Sequence, residues 1–347
     1  MYETVQNNYQ TIKNAKPDVA KNSAGYKLWD IWDPEKEEFN ISQIFVGAQG
    51  TLGIMTEAEI QLITPKPYKK MIVLFMRDLK ELPKVVNAIL PLKPESLEAF
   101  DDATFKLALR FFPSIAKKAG ENLILFLLKF IPEGMLMLQM LGLPKMVILA
   151  QFAEDSQDEA EKKLADAQER LAGLNIKKRI IHDDAQSEKY RVIRRESFSL
   201  LREHVRGKRT APFVDDFIVK PEYLPEVLPK VYKILEEHGI NKTIAGHVGS
   251  GNFHIIPLMD LSKEEEKKKI PIVSEKIYDL ILKYKGSITA EHNDGLVRSP
   301  YLEKMFGKEV YNLFKEVKRI FDPDNIFNPG KKVNASMEYA MKHIEHK

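Results

Sequence analysis

The feature of this sequence that most restricts its folding is GHVGSGNFH, residues 246–254, in which two histidines and three glycines fall within nine positions. A four-residue loop from Gly249 to Asn252 would make a β-hairpin in which His247 is directly opposite His254. Opposed residues share one face of a hairpin, with Cβ atoms about 5 Å apart. Both imidazoles could then reach one metal ion, because a Zn–N distance is about 2.0–2.1 Å.

A third ligand would have to be a carboxylate from another strand. AEHNDG, residues 290–295, offers Glu291 after a short β-like segment. Two histidines and one carboxylate leave coordination positions open for a substrate oxygen, and zinc, manganese and iron are all compatible with that donor set. On spacing alone, a pair of cross-strand histidines satisfied by hydrogen bonds is an equally good interpretation.

The composition describes a globular protein and excludes several functions. Of the 347 residues, 44% are hydrophobic and 30% are charged, and 53 basic residues are mixed with 50 acidic ones. We therefore expect no nucleic-acid partner. The absence of cysteine excludes disulfides, a thiolate nucleophile and a cysteine-ligated iron–sulfur cluster. The first residues lack a basic and apolar signal, so we expect a cytoplasmic protein, or one peripheral to the inner face of the membrane.

Hydrophobic periodicity predicts an α+β fold in which strands and helices alternate without a parallel-barrel repeat. The glycine-punctuated segment 44–63 predicts two short strands around a tight loop. Further strands are predicted at 71–76, 146–152, 176–181 and within 243–258. Helices are predicted at 79–90, 101–112, 154–172, 188–206, 221–238 and 263–284, and 321–333 is predicted to be an ordered loop.

The most apolar segment is 122–143, which Lys129 and the pair Pro132-Glu133 interrupt. Its uncharged runs are shorter than the ~20 residues that a membrane-spanning helix needs. Two short helices in the protein core, separated at Pro132, are the favoured interpretation. A patch that docks on a membrane or a partner is the alternative.

Four separated motifs together resemble the FAD-linked oxidase family, which includes glycolate oxidases and the D-lactate and D-2-hydroxyglutarate dehydrogenases. They are GAQGTLGIMTEA (47–58), GHVGSGNFH, AEHNDG and FDPDNIFNPGKK (321–332), and the resemblance extends from about Lys21 to Val333. It implies the C-terminal part of a vanillyl-alcohol-oxidase-type FAD-binding domain in residues 1–65. A ferredoxin-like substrate domain with the metal site would follow at 66–298, and 299–347 would return to the FAD domain.

The resemblance implies oxidation of the CH–OH group of a small D-2-hydroxy acid, such as lactate, glycolate or 2-hydroxyglutarate. A divalent metal on His247, His254 and Glu291 would bind substrate oxygens, and His292 would be the general base. The substrate carboxylate would be bound by Arg195, with Ser199 and Lys208 assisting. The electron acceptor would be a quinone or an electron-transfer protein.

FAD is the cofactor that the resemblance implies. Its binding residues would be Asn22, Ser23, Gly25, Tyr26, Gly47, Gly50, Thr51, Gly53 and Asn328. The sequence departs from the family pattern at Gln49, where an acidic residue is usual, and at Asn293, where a glycine is usual. The family's pyrophosphate-binding loop would precede Met1.

Two other interpretations stay open at this point. The chain could be one half of a split flavoenzyme that needs an N-terminal partner chain, or an inactive remnant of such an enzyme. It could also be a metal-dependent hydrolase without flavin, although a hydrolase has no use for the flavin-facing motifs.

Overall fold

The computed structural model describes residues 1–118, 120, 122–183, 186–195 and 208–344. By its internal contacts the chain divides into two compact units. The larger unit contains residues 63–212 and 221–260, and the smaller unit contains 1–62, 213–220 and 261–347.

This division differs in part from the domains predicted from the sequence. The predicted boundary at 65 and the observed one at 62 nearly coincide. Residues 213–220 and 261–298, however, were assigned to the substrate domain and group with the smaller unit. The division into cofactor-binding and substrate-binding parts stays a prediction.

The described strands and helices are as follows. The strands are β1 (Trp32–Asp33), β2 (Glu38–Phe39), β3 (Tyr68–Met76), β4 (Ser96–Asp101), β5 (Met146–Glu154), β6 (Lys177–Ile181), β7 (Arg209–Thr210), β8 (Phe217–Ile218), β9 (Asn241–His247) and β10 (Asn252–Met259). The helices of the first half are α1 (Tyr2–Asn7), α2 (Tyr9–Ala15), α3 (Leu82–Ile89), α4 (Asp102–Arg110), α5 (Phe112–Lys118), α6 (Leu123–Leu128), α7 (Ile131–Gln139) and α8 (Gln157–Arg170). Those of the second half are α9 (186–195, as far as the chain is described), α10 (Leu224–Glu237), α11 (Glu264–Lys267), α12 (Lys269–Lys283), α13 (Gly295–Arg298), α14 (Leu302–Phe321) and α15 (Met337–Lys342).

The larger unit is built on an antiparallel sheet with the strand order β6-β3-β5-β4-β9-β10-β7. Its first four strands and two of its helices follow one another as β3-α3-β4-β5-α8-β6, the split β-α-β-β-α-β arrangement of ferredoxin-like folds, with α4 to α7 inserted between β4 and β5. The hairpin β9–β10 extends this sheet beside β4, since Ala99 of β4 pairs with Gly246. The predicted α+β class is therefore confirmed.

Both faces of this sheet are covered, which explains why its central strands are continuously apolar. Every residue of β5 is buried. The amphipathic helix α8 packs on β3 and β5 with Ala160, Leu164 and Ala167 buried. Met71 and Val73 belong to a core cluster that also contains Phe105, Phe112 and Phe126.

The smaller unit has its own core around α14, a helix that is interrupted by a kink at Gly307. Tyr26 contacts Phe314 edge to face, with ring centroids 5.9 Å apart. Gly25 has φ of +65°, and a Cβ at that position would lie 2.5 Å from the Phe314 ring. A glycine is therefore required there by both backbone and packing, whether or not a cofactor lies nearby.

The two strands predicted around a tight loop in 44–63 are not formed. Ile41–Phe45 is a 3-10 helix, and residues 54–67 have no regular secondary structure. Ile54, Ile60 and Leu62 alternate as the pattern requires, but all three are highly exposed. The apolar alternation is present, but a strand also needs a neighbouring strand for its backbone hydrogen bonds, and no described strand makes backbone hydrogen bonds with residues 54–67.

The prediction of core helices at 122–143 is half right. Helices α6 and α7 form, and Pro132 lies in the first turn of α7. Of the six residues of α6, however, only Phe126 is buried. No helix in the described part of the chain is both long and apolar enough to cross a membrane.

Candidate active site

The histidine hairpin forms, but in a different register from the predicted one. The loop runs from Val248 to Gly251, so His247 pairs with Asn252 and His254 pairs with Ala245. The two histidines are thus diagonal neighbours on one face of the hairpin. Their ring centroids are 5.4 Å apart, a distance that diagonal pairs of long side chains can span.

Glu98 on β4 orients the first of these histidines. The Nδ1 of His247 lies 2.7 Å from Oε1 of Glu98, and the guanidinium of Arg194 forms an ion pair with the other carboxylate oxygen. A carboxylate that accepts a hydrogen bond from Nδ1–H selects the tautomer whose Nε2 can bind a metal. Glu98 and Arg194 were not singled out by the sequence.

The AEHND loop in the smaller unit is held by one carboxylate. Oδ2 of the buried Asp216 accepts hydrogen bonds from the backbone N–H groups of Ala290, Glu291 and His292, at 2.9, 2.8 and 2.7 Å. The Thr289 hydroxyl donates to the same oxygen at 2.8 Å. Asp216 therefore fixes the backbone at the predicted metal ligand Glu291 and the predicted base His292.

The neighbouring Asp215 sets the chemistry of His292. Its Oδ2 lies 2.9 Å from Nδ1 of the half-exposed His292 ring. This hydrogen bond, together with the nearby negative charge, raises the pKa of His292 above its usual value, although partial burial opposes the shift. If Nδ1 carries the proton shared with Asp215, Nε2 is the nitrogen that can exchange a proton with a substrate.

Glu291 lies on the smaller unit and forms an ion pair with Lys21. His247 and His254 lie on the larger unit. The assignment of these three residues to one metal site stays a prediction from the sequence.

A buried lysine ties the loop to the segment that carries the predicted flavin contacts. Nζ of Lys332 lies 2.7 Å from Oδ2 of Asp294, and both side chains are fully buried. The same ammonium donates to the carbonyl oxygens of Gly25 and Ser23, at 2.8 and 3.1 Å, and to the Asn293 side chain. The predicted C-terminal signature thus includes a lysine with a structural role.

Asn293, one of the two departures from the family pattern, occupies a backbone conformation that suits glycine. Its φ is +67°, in the left-handed region that asparagine tolerates better than most residues. A Cβ on Gly47 would lie 2.8 Å from Nδ2 of Asn293. Gln49, the other departure, accepts a hydrogen bond from the Gly295 N–H at 3.1 Å.

Several side chains predicted to contact flavin make hydrogen bonds within the smaller unit. The hydroxyls of Tyr26 and Thr51 are 2.7 Å apart. Asn22 accepts from Ser287, and Asn328 donates to the Gln49 carbonyl. Such residues shape the unit, so a cofactor would be contacted chiefly through backbone and glycine positions.

The backbone at Gly50 and Gly53 has positive φ, and no described atom lies within 4 Å of where a Cβ would be. Gly47 also has positive φ, at +74°. Of these three glycines, only Gly50 and Gly53 therefore have open space beside the described backbone, because the Asn293 side chain occupies the space beside Gly47.

The residues predicted to bind the substrate carboxylate are only partly described. The Arg195 side chain is 64% exposed and lies 3.6 Å from Glu188. Lys208 is exposed, next to β7. Ser199 lies outside the described residues, so the predicted alignment of Ser199 with Arg195 on one helix face stays untested.

Sequence reasoning overlooked Asp215 and Asp216, which carry much of the geometry. They stand together in FVDDF, residues 213–217. Two adjacent acidic residues between apolar ones were a usable signal, because carboxylates in an apolar setting are normally paired. Their partners, 73 or more residues away in the chain, could not be read from local spacing.

The fold and these side chains define a class: an α+β protein with a histidine hairpin on its sheet and a histidine–carboxylate pair in a carboxylate-held loop. The family model described as FAD linked oxidases, C-terminal domain, matches residues 66–332. This is well over half of the chain, and the protein belongs to that family.

Curated relatives carry names of the same kind. The chain is 27% identical to the D-2-hydroxyglutarate dehydrogenase of Haemophilus influenzae over 91% of its length, and 28% identical to that of Escherichia coli K12 over 95%. It is 25% identical to glycolate oxidase subunit GlcD of Bacillus subtilis over 90%. It spans 30%, 32% and 58% of these relatives, respectively.

Solved structures show the same fold at low sequence identity. The 4-ethylphenol oxidase of Gulosibacter chungangensis aligns with a TM-score of 0.57 and 12% identity, over 81% of this chain and 56% of that one. p-Cresol methylhydroxylase aligns with a TM-score of 0.53 and 14% identity, over 77% and 53%. The predicted vanillyl-alcohol-oxidase-type fold class is thereby confirmed.

Proposed function

We propose that this chain is the substrate-binding part of an FAD-dependent oxidoreductase that acts on the CH–OH group of a small D-2-hydroxy acid. The observation that carries the proposal is the hydrogen bond between His292, the proposed base, and Asp215. Glu291, the proposed metal ligand, directly precedes His292 in the same loop. Membership of the FAD-linked oxidase family supports the redox chemistry. The names of the relatives support the substrate class.

The proposed metal ligands are His247, His254 and Glu291. The hydrogen bond from His247 to Glu98 supports this, because it is the arrangement in which an imidazole binds metal through Nε2. A divalent metal would polarise the substrate hydroxyl and so lower its pKa. Zinc, manganese and iron are all compatible with this donor set.

His292 would accept the hydroxyl proton at Nε2 while Asp215 stabilises the imidazolium that forms. Arg195 and Lys208, with Ser199, would bind the substrate carboxylate and hold the α-carbon in place. FAD, when bound, would take up the two electrons and the α-hydrogen, which leaves a 2-oxo acid. The turn at Gly47, Gly50 and Gly53 would lie against its ring.

The test is a titration of the purified 347-residue chain with FAD and metal, followed by anaerobic addition of D-lactate, glycolate or D-2-hydroxyglutarate. We expect loss of the flavin absorbance with at least one of these acids. The His292→Gln variant should keep flavin and metal but lose the reduction, whereas His182→Gln, at an exposed histidine of the larger unit, should behave as the wild type.

A protein that binds flavin and metal but is not reduced by any of these acids would contradict the proposed substrate class. If the chain binds metal without flavin, co-expression with a chain that carries the pyrophosphate-binding loop becomes the next measurement. That outcome would favour the split-enzyme alternative. The electron acceptor would then be sought among quinones and electron-transfer proteins.

A further inference from the structure

The short helices α6 and α7 of the larger unit, with two residues near them in the chain, expose a set of large apolar side chains. Ile124 is 68% exposed, Leu125 60% and Leu138 76%. Five of the six residues of α6 are aliphatic and exposed, and only Phe126 points inward. The exposed members are Leu109, Leu123, Ile124, Leu125, Leu127, Leu128, Ile131, Met135, Leu138 and Leu141, and we call them the apolar patch.

Polarity is inverted in this part of the fold. Glu133 of α7 is the buried residue of its helix, and it forms ion pairs with Arg179 and Lys189 at 2.5 and 2.9 Å. Tyr190 donates a further hydrogen bond to it. The sequence therefore places its charged anchor inside and its leucines outside, the reverse of what water favours.

Three phenylalanine rings pack together beneath the patch. The rings of Phe112, Phe126 and Phe130 contact one another, with centroids 4.9 to 5.2 Å apart. An apolar cleft of about 330 Å³ opens beside them, lined by residues that include Leu127 and Met137. Because the lining of this cleft is almost entirely apolar, it is suited to binding a hydrocarbon chain.

Basic residues outnumber acidic ones around the patch. Between residues 101 and 145 the sequence has six basic residues and four acidic ones. Asp101 and Glu133 are buried, and Asp102 forms ion pairs with Lys106 and Lys145. All six basic side chains are exposed: Lys106, Arg110, Lys117, Lys118, Lys129 and Lys145. Exposed apolar helices accompanied by basic residues have the pattern of segments that bind anionic membrane surfaces.

From these contacts we infer that the apolar patch inserts into the interface of an anionic lipid bilayer, with the exposed lysines and arginine against the lipid phosphates. The helices would lie in the plane of the membrane, because none of those described could span it. Acyl-chain methylenes would enter the cleft beside Phe112 and Phe130. This surface is independent of the proposed oxidation chemistry, since none of its residues is among the proposed catalytic, metal-binding or cofactor-binding residues.

The test is co-sedimentation of the full chain with vesicles of phosphatidylcholine, with and without phosphatidylglycerol. We expect binding to the anionic vesicles that weakens as salt screens the charges. Ile124→Glu should lower the partition coefficient about tenfold or more. Ile272→Glu, at a helix position of the smaller unit that is 50% exposed, is the matched control and should bind as the wild type.

A tryptophan placed at Leu125 locates the contact. Its fluorescence should be quenched by lipids that are brominated on their acyl chains. The wild-type protein, measured in the same way, gives the signal of the two native tryptophans, Trp29 and Trp32, which is subtracted. Absence of binding to anionic vesicles would overturn the inference. The inference would also be overturned if the protein did not bind vesicles but self-associated with rising concentration, and if Ile124→Glu abolished that self-association. A second copy of the chain would then cover the patch.

Discussion

His292 and Asp215 are joined by a hydrogen bond of 2.9 Å between the ring Nδ1 and the carboxylate Oδ2. The backbone N–H of the same histidine is held 2.7 Å from Oδ2 of Asp216. Two adjacent carboxylates therefore have separate tasks: Asp215 sets the protonation of the ring, and Asp216 sets where the ring is.

The first prediction concerns the pKa of His292. Because the hydrogen bond to Asp215 is the largest cause of its raised pKa, Asp215→Asn should lower that pKa. The measurement is a histidine-ring NMR titration of metal-free protein, in which His292→Gln identifies the resonance. If the titration of His292 is the same in the wild type and in Asp215→Asn, the carboxylate does not control this ring.

The sign of the corresponding effect on stability follows from the same shift. The folded protein binds the His292 proton more tightly than the unfolded chain does, so protonation favours folding. This contribution is complete below the unfolded pKa of about 6.5 and is lost as the pH rises through the higher folded value. The stability difference between wild type and His292→Gln should therefore be larger at mildly acidic pH than at alkaline pH.

That comparison is made by urea denaturation of metal-free protein at both pH values. His182→Gln, on the other unit, serves as the control. A difference that grows with rising pH would contradict the assigned direction of the shift.

The second prediction concerns the buried pair of Lys332 and Asp294. Removing one partner of a buried ion pair leaves an uncompensated charge and typically costs about 3–5 kcal/mol. Lys332→Met should lower the free energy of unfolding by that order, because it also removes donors to the Gly25 and Ser23 carbonyls. Lys331→Met, one residue earlier and partly exposed, should change it by less than about 1 kcal/mol.

A double-mutant cycle with Asp294→Asn shows whether the two groups act as a pair. Since removing both charges leaves none uncompensated, the double variant should be less destabilised than the sum of the single variants. Strict additivity, measured by urea denaturation, would show that the two side chains act independently.

Much of the larger unit could be predicted because its elements are encoded locally. The continuous apolar run of β5 and the three- and four-residue spacing of Ala160, Leu164 and Ala167 determine a buried strand and an amphipathic helix without reference to the rest of the chain. The hairpin was predictable for the same reason. Its register was not, because the glycines allow the loop to begin at Val248.

The rest depended on partners that are distant in sequence. The 54–67 segment has the alternation of a strand, but strand formation is decided by a neighbour. Helix α6 has the composition of a core helix, but only Phe126 is buried. The residue that α7 buries is Glu133, in ion pairs with Arg179 and Lys189 that come from distant parts of the chain. Asp215, Asp216 and Glu98 act through residues from about 75 to 149 positions away, which no local pattern reveals.

The third prediction concerns Asn293, whose φ of +67° is a glycine-like conformation. Glycine adopts this φ without strain. Asn293→Gly and Asn293→Val both lose the side-chain acceptor of the buried Lys332 ammonium, so the difference between the two variants isolates the effect of φ. Asn293→Val should be destabilised by about 2 kcal/mol or more relative to Asn293→Gly, because a β-branched residue is strained there. Equal unfolding midpoints for the two variants would mean that the loop relaxes to another conformation.

The fourth prediction joins the hairpin to the proposed metal. Glu98 accepts from Nδ1 of His247 at 2.7 Å, and loss of such an outer carboxylate typically lowers metal affinity about 10–100-fold. Glu98→Gln should therefore weaken zinc binding by that factor, as measured by competition with a chromogenic chelator. Glu95→Gln is the matched control, because Glu95 lies three residues earlier and accepts from Gln151 instead. If Glu98→Gln binds zinc as tightly as the control, His247 is either oriented by other contacts or is not a ligand. His247→Ala distinguishes these two cases, since only a ligand loses its metal when the ring is removed.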